Sequence, residues 1–359
     1  MNSKKRLMSQ ITLLQILLLG MSTELKAQTP SVDGGHFCVV SNEAYVAGQN
    51  LIKLDLSTGK VVKTILRNRL IQIGPIIEAN SLVYSVGGSY STLAALDRRS
   101  YVSRWKSDHR SSLLAHHDGK IFLNNQLDDS LEAINASTGR RLWTSRSIHS
   151  SGFGFSFAFI AGEGRIVTNS GILSETTGSI LKSWPGRILD ASSSQGRVWI
   201  LDDRGLVSEL DPMNKLQWES SPGDGLKDVK RVFAEGDLVF VVEGPKNAAV
   251  TLTAISQSTH QVVWSHPAHA DSYGGSVAIS KGLVITVAQV DKGTTVTAYD
   301  AKSGVLEWQS KLQTRAESPT IVNGLILLKS AEGLYALQPK DGALRWKFDE
   351  GISANQRER

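Results

Sequence analysis

One cysteine in 359 residues leaves the chain no internal disulfide, so a covalent staple is not what holds it folded. That cysteine, Cys38, follows residues 33–37 (DGGHF) and does not directly follow the apolar leader, so a lipobox is missing and a buried strand thiol is the expectation. Long apolar runs are just as scarce. Only residues 11–21 (ITLLQILLLGM) form one, too short to span a bilayer, and it follows Lys4, Lys5 and Arg6. Residues 1–27 therefore read as a signal peptide cut near Ala27, which implies a periplasmic or secreted protein without stable membrane insertion.

A dominant charge is missing as well. Lys and Arg number 39 against 34 Asp and Glu, and removing Lys4, Lys5, Arg6, Lys26 and Glu24 with the leader leaves 35 against 33, or +2. A near-neutral mature chain gives no electrostatic case for nucleic acid or an anionic membrane. No Gly-x-Ser-x-Gly elbow, cysteine pair or spaced acidic cluster marks a catalytic centre.

What the chain does have is repetition. VTAYDAKSGVLEW (residues 296–308) alternates for one strand, turns at Ser303-Gly304 and returns to Trp308. Residues 131–143 and 334–346 repeat it, as do 93–105 and 252–264. Looser copies lie at 51–63, 171–182 and 207–218. One column reads Asp55, Asp97, Asn135, Ser174, Asp211, Ser256, Asp300, Gln338, a spacing of about 40 residues. Each repeat divides into four strands, A to D, and the A-to-B turns repeat Asp118-Gly119, Glu163-Gly164, Gln195-Gly196, Glu235-Gly236, Lys281-Gly282 and Asn323-Gly324.

Eight such sets predict an all-β fold, an eight-bladed β-propeller of four-stranded antiparallel blades over residues 36–349, with a C-terminal tail at 350–359. Trp105, Trp143, Trp218, Trp264, Trp308 and Trp346 share one column, with Trp184 two residues on. These indoles are expected to dock blade against blade, each burying roughly 150–250 Å². Lys63 and Lys182 stand in the column in repeats one and four, where docking should be weaker. Length variation concentrates in the B-to-C and D-to-A links, which share one face of a radial propeller.

The pattern Ala-x-Asp-x-x-Thr-Gly-x-x-x-Trp resembles the tryptophan-docking repeat of the pyrroloquinoline-quinone-type (PQQ-like) β-propellers. Ala298, Asp300, Ser303, Gly304 and Trp308 carry it, as do Ala133, Asn135, Thr138, Gly139 and Trp143. WD40 repeats are a poorer match, since no aligned tryptophan is followed by Asp. The resemblance implies either quinone-dependent alcohol dehydrogenases or non-catalytic scaffolds. Among the scaffolds is a propeller subunit of the bacterial outer-membrane protein assembly machinery, a lipoprotein similar in length and repeat number.

The expected function is a non-enzymatic, monomeric, exported scaffold that binds a protein partner on its BC/DA loop face, without PQQ or another cofactor. A quinone- or metal-dependent dehydrogenase and a polysaccharide or small-ligand binder are the alternatives. His109, His149, His266 and His269 fall in or near D-to-A links and form the candidate loop site on that face, with solvated histidines as the plainer reading. His116-His117 should be exposed beside an A-to-B turn, and Asp202-Asp203 and Asp128-Asp129 should be turn formers.

Overall fold

The computed structural model describes residues 37–67, 76–86, 92–125, 130–146, 158–220, 229–244, 250–268, 277–290, 293–330 and 333–349. They form an eight-bladed β-propeller of four-stranded antiparallel blades. Blade 6 illustrates the plan: Val229–Glu235, Leu238–Glu243, Val250–Ser256 and Val262–Ala268 run A to D from the axis outwards, each paired with the next. Local chemistry explains the turns. Asp118-Gly119, Glu163-Gly164, Gln195-Gly196, Lys281-Gly282 and Asn323-Gly324 hold both central residues at positive φ, the conformation that matches the twist of two-residue hairpins.

The C-to-D turns are built by the repeated acidic column. Asp300 Oδ1 accepts the amides of Lys302 and Ser303 at 3.2 and 2.8 Å, and Asp97 Oδ1 accepts those of Arg99 and Ser100 at 3.0 and 2.8 Å. Asn135 serves alike, its Oδ1 accepting Ser137 and Thr138 at 3.0 Å. A carboxylate or amide in this column satisfies amides that the turn would otherwise leave unpaired.

One connection departs from the expected plan. Ser103–His117 is a single strand of 15 residues that closes blade 2 on the outside and opens blade 3 on the inside. The two blades thereby become one seven-stranded sheet. No Gly or Pro interrupts residues 106–117, so nothing local forces a break.

The apolar interior has no single centre. Eight buried clusters each straddle one pair of adjacent blades, the seam between them. Blades 1 and 8 each keep four consecutive strands, so no strand is exchanged where the ring closes. Closure rests on packing of Leu54 and Leu56 against Leu325, Leu327, Trp346 and Phe348, and on a hydrogen bond donated by Asn323 Nδ2 to the Ser41 carbonyl.

Candidate functional site

The aligned tryptophans are placed at the seams. In five blades the ring lies across from an alanine of its own strand C: Trp105 beside Ala95, Trp143 beside Ala133, Trp264 beside Ala254, Trp308 beside Ala298 and Trp346 beside Ala336. Each ring then covers a glycine in the C-to-D turn of the next blade, namely Gly139, Gly178, Gly304, Gly342 and, across the closure, Gly59. A Cβ at Gly139 would sit 2.8 Å from the Trp105 ring, inside van der Waals contact. The indole N–H donates to a carbonyl of the same turn: Trp105 to Ala136 at 2.9 Å, Trp264 to Ala301 at 3.0 Å and Trp346 to Leu56 at 2.8 Å. Alanine leaves room for the ring, and glycine lets the turn come up beneath it.

Three seams lack that glycine. Tyr101, Asn214 and His260 occupy the turn position with φ near 60°, so the backbone conformation persists without the residue that favours it. In each case the preceding blade also changes. Opposite Tyr101 the column residue is Lys63, whose Nζ lies 4.3 Å from the tyrosine ring centre. Opposite Asn214 it is Lys182, whose Nζ donates to the Asn214 carbonyl at 2.6 Å, in place of an indole N–H. The two lysines thus substitute polar contacts for apolar docking.

Trp184 does not replace Lys182. It lies just past the outer strand, buried among Ile188, Val198 and Ile200, and donates to Asp202 Oδ2 at 3.4 Å at the opposite end of the same seam. Opposite His260 the tryptophan remains but shifts its bonding. Trp218 stacks on the imidazole with ring centres 4.9 Å apart and planes 3° apart.

The alanine opposite Trp218 has become Glu209, fully buried, which receives Arg197 Nη1 at 2.5 Å and faces His260 Nε2 at 2.5 Å. Arg197 also donates to the Gln257 carbonyl at 3.3 Å. Nearer the axis the same two blades are laced again: Asp190 Oδ2 accepts Val232 N at 2.9 Å and Arg231 Nε at 2.8 Å, and Ser192 Oγ accepts Ala234 N at 2.8 Å. Burial raises the Asp190 carboxyl pKa, partly offset by Arg231.

Sequence reasoning missed this coupling, although a signal for it exists. Repeats two, five and six lack the turn glycine, and the altered Ala/Trp columns belong to repeats one, four and five. The correlation appears only when each strand D is compared with the following repeat.

The described residues include two of the four candidate histidines, His109 and His266. His149 and His269 lie outside the described residues. His109 falls within the strand that joins blades 2 and 3. His266 stands on strand D of blade 6, exposed, its ring 5.6 Å from that of Trp264 and against the turn at Gly304. It therefore sits at the C-to-D turn end of seam 6–7, away from the BC/DA loops.

His116 and His117 are not free surface groups either. His116 Nδ1 lies 3.0 Å from Glu78 Oε2, and His117 Nδ1 lies 3.0 Å from Glu175 Oε2, which Lys120 Nζ also reaches at 3.0 Å on Oε1. These pairs tie blades 2, 3 and 4 together. Asp202 is the turn former expected, accepting Arg204 N and Leu206 N at 3.0 and 3.2 Å; Asp128-Asp129 lies outside the described residues.

On the BC/DA face, the described links expose Arg187, Asp203 and Arg204 between blades 4 and 5, and Gln313, Arg315 and Glu317 between blades 7 and 8. These links are held from below. Asp203 N donates to the Arg187 carbonyl at 2.8 Å, and Thr294 Oγ1 accepts Ala316 N and donates to the Thr314 carbonyl, both at 2.8 Å. The arrangement presents mixed charge on a braced support, suited to polar contacts with a macromolecule.

The sequence profile of the family described as "Outer membrane protein assembly factor BamB" matches residues 128–285 and 250–358. No curated protein matches the chain. Among solved structures, the computationally designed Ika8 protein superimposes with a TM-score of 0.62 at 15% identity, over 88% of this chain and 97% of that one. BamB from Moraxella catarrhalis gives 0.59 at 14% identity, over 83% and 94%. Quinohemoprotein alcohol dehydrogenase from Comamonas testosteroni gives 0.54 at 12% identity, over 79% and 67%. At such identities the likeness is one of fold.

Proposed function

Because the chain belongs to the family described as outer membrane protein assembly factor BamB, we propose that it is a non-enzymatic protein-binding scaffold of the bacterial envelope, acting in outer-membrane protein assembly. Residues 1–27 export it in this reading, and the partner docks on the BC/DA face around Asp203 and Arg315. Among the described residues no helix is long and apolar enough to cross a membrane.

The observation that carries the reading, beside family membership, is how the ionisable side chains are employed. His116 with Glu78, His117 with Glu175, and His260 with Glu209 each bridge adjacent blades. Such groups make a rigid support for a docking face, a use of the propeller in which loops recognise and sheets hold still.

Photo-crosslinking tests the assignment. A crosslinker at Arg315 or Asp203 is expected to capture a component of the outer-membrane assembly machinery from intact cells, and one at Lys302 on the opposite face is not. Capture from Lys302 alone would reverse the face. The fold is shared with a quinohemoprotein dehydrogenase, so incubation with pyrroloquinoline quinone and calcium is the second arm. A visible chromophore with alcohol oxidation would replace the scaffold reading with an enzymatic one.

A further inference from the structure

The near-neutral charge of the chain conceals a local excess. In blade 2, the C-to-D turn and the start of the outer strand (residues 97–108) hold Arg98, Arg99, Arg104 and Lys106 against Asp97 and Asp108, or +2. The matching part of blade 3 (residues 135–146) holds Arg140, Arg141 and Arg146 with no acid, or +3. The equivalent segments of the other six blades carry between −1 and +1. The two basic segments are neighbours because the Trp105 ring of blade 2 lies over Gly139 in the turn of blade 3 and donates to the Ala136 carbonyl there.

Three of these arginines already hold carboxylates of this chain. Arg98 pairs with Glu43 at 2.9 Å, Arg104 with Asp97 at 2.6 Å and Arg141 with Glu132 at 3.4 Å. Arg99, Lys106, Arg140 and Arg146 are exposed and make no ion pair among the described residues. Exposed Val102 and Leu142 lie between them, giving the wall apolar contact area as well as charge.

We infer that the outer wall of blades 2 and 3 is a second docking surface, distinct from the BC/DA face, for an acid-rich extended segment of a partner protein. Of the four cations without an ion pair among the described residues, three are arginines, whose planar fork suits paired carboxylate oxygens. The basic residues run lengthwise: Arg140 to Arg146 spans about 20 Å of strand, the reach of a short extended peptide. The outer strand of blade 3, Arg141–Arg146, is last in its sheet, and among the described residues no strand pairs with its outer edge, which suits the addition of such a segment. This surface does not depend on the BC/DA assignment, and either can fail alone.

The test uses fluorescence anisotropy of the full chain with a labelled peptide of about ten glutamates, against a glutamine peptide of equal length. The glutamate peptide should bind in preference, more weakly at about 1 M salt than at about 0.15 M. Reversing Arg99→Glu, Lys106→Glu, Arg140→Glu and Arg146→Glu together should weaken it on the order of tenfold or more. Reversing Lys302→Glu and Lys340→Glu on blades 7 and 8 should leave binding within about twofold. The milder set with glutamine at the same four positions serves if the reversal melts early. No preference for the glutamate peptide, or binding unchanged by the four-site variants, overturns the inference. Binding of anionic phospholipid vesicles through the same four residues, without peptide binding, would identify a lipid-facing wall and overturn it equally.

Discussion

Seam 6–7 and seam 5–6 share a blade and are built on different chemistry. Across the first, Trp264 packs beside Ala254, covers Gly304 and donates to Ala301, with Leu238 adding apolar contact. Across the second, Trp218 stacks on His260 and a buried Glu209 gathers Arg197 and the imidazole. The contrast shows what the glycine does. It supplies less the positive φ, which His260 also adopts, than the absence of a Cβ under the ring. Once a side chain stands there, the neighbouring blade must offer something else, and here it offers charge.

The largest expected effect tests the regular chemistry where it closes the ring. Trp346→Ala should cost about 3–5 kcal/mol, read as a fall in urea midpoint, because it empties the contact that joins blade 8 to blade 1. A loss below about 1 kcal/mol would mean that closure rests elsewhere.

Gly139→Ala asks whether the missing Cβ matters as argued. Positive φ and collision with Trp105 together should cost about 2–4 kcal/mol. The same change at Gly205, also at positive φ but with open space around it, should cost only the backbone part, about 1–2 kcal/mol. Equal losses in thermal melts would remove the steric half of the explanation.

Seam 5–6 can be converted to the regular type. Glu209→Ala alone leaves half-buried His260 and Arg197 without their carboxylate, and His260→Gly alone leaves buried Glu209 with Arg197 only, so each should destabilise by about 1–3 kcal/mol. Together they restore the alanine–tryptophan–glycine set, so a double-mutant cycle should show coupling of about 1–3 kcal/mol. Strict additivity would mean that the two residues do not act as a pair.

The smallest effect concerns acid. Burial raises the Glu43 carboxyl, but hydrogen bonds from Lys53, Arg98 and Tyr45 outweigh it and hold the pKa at about 2, below the ordinary 4.5. A folded pKa below the unfolded one stabilises above about 4.5, and that contribution is lost as pH falls toward 2. Hydrogen exchange at seam 1–2 should therefore quicken in that window, and Glu43→Gln should flatten the dependence. Seam 6–7, without such a pair among the described residues, should change less.

Much of this was legible in the sequence because it is local. The period near forty residues, the column from Asp55 to Gln338 and the Asp118-Gly119 type of hairpin each depend on residues a few positions apart. Lys63 and Lys182 were visible as exceptions, but not their partners, since Tyr101 and Asn214 belong to the next repeat. The contacts of the described histidines were not legible in the same way: His266 stacks on Trp264 at a seam, and His116 and His117, expected to be exposed, are tied to Glu78 and Glu175. Net charge averages over the whole chain and so does not resolve the basic segments of blades 2 and 3.

The sequence by itself determined the number of blades, the turns that fold each one and the indoles that face outward from it, because strand alternation and turn chemistry act over a handful of residues. Only the tertiary structure decided what each indole or lysine meets. It alone placed Glu209 between Arg197 and His260, ran blade 2 into blade 3 and closed the ring without exchanging a strand. Those contacts join residues up to 290 positions apart, and burial, which sets their strength, exists only once neighbouring sheets are pressed together.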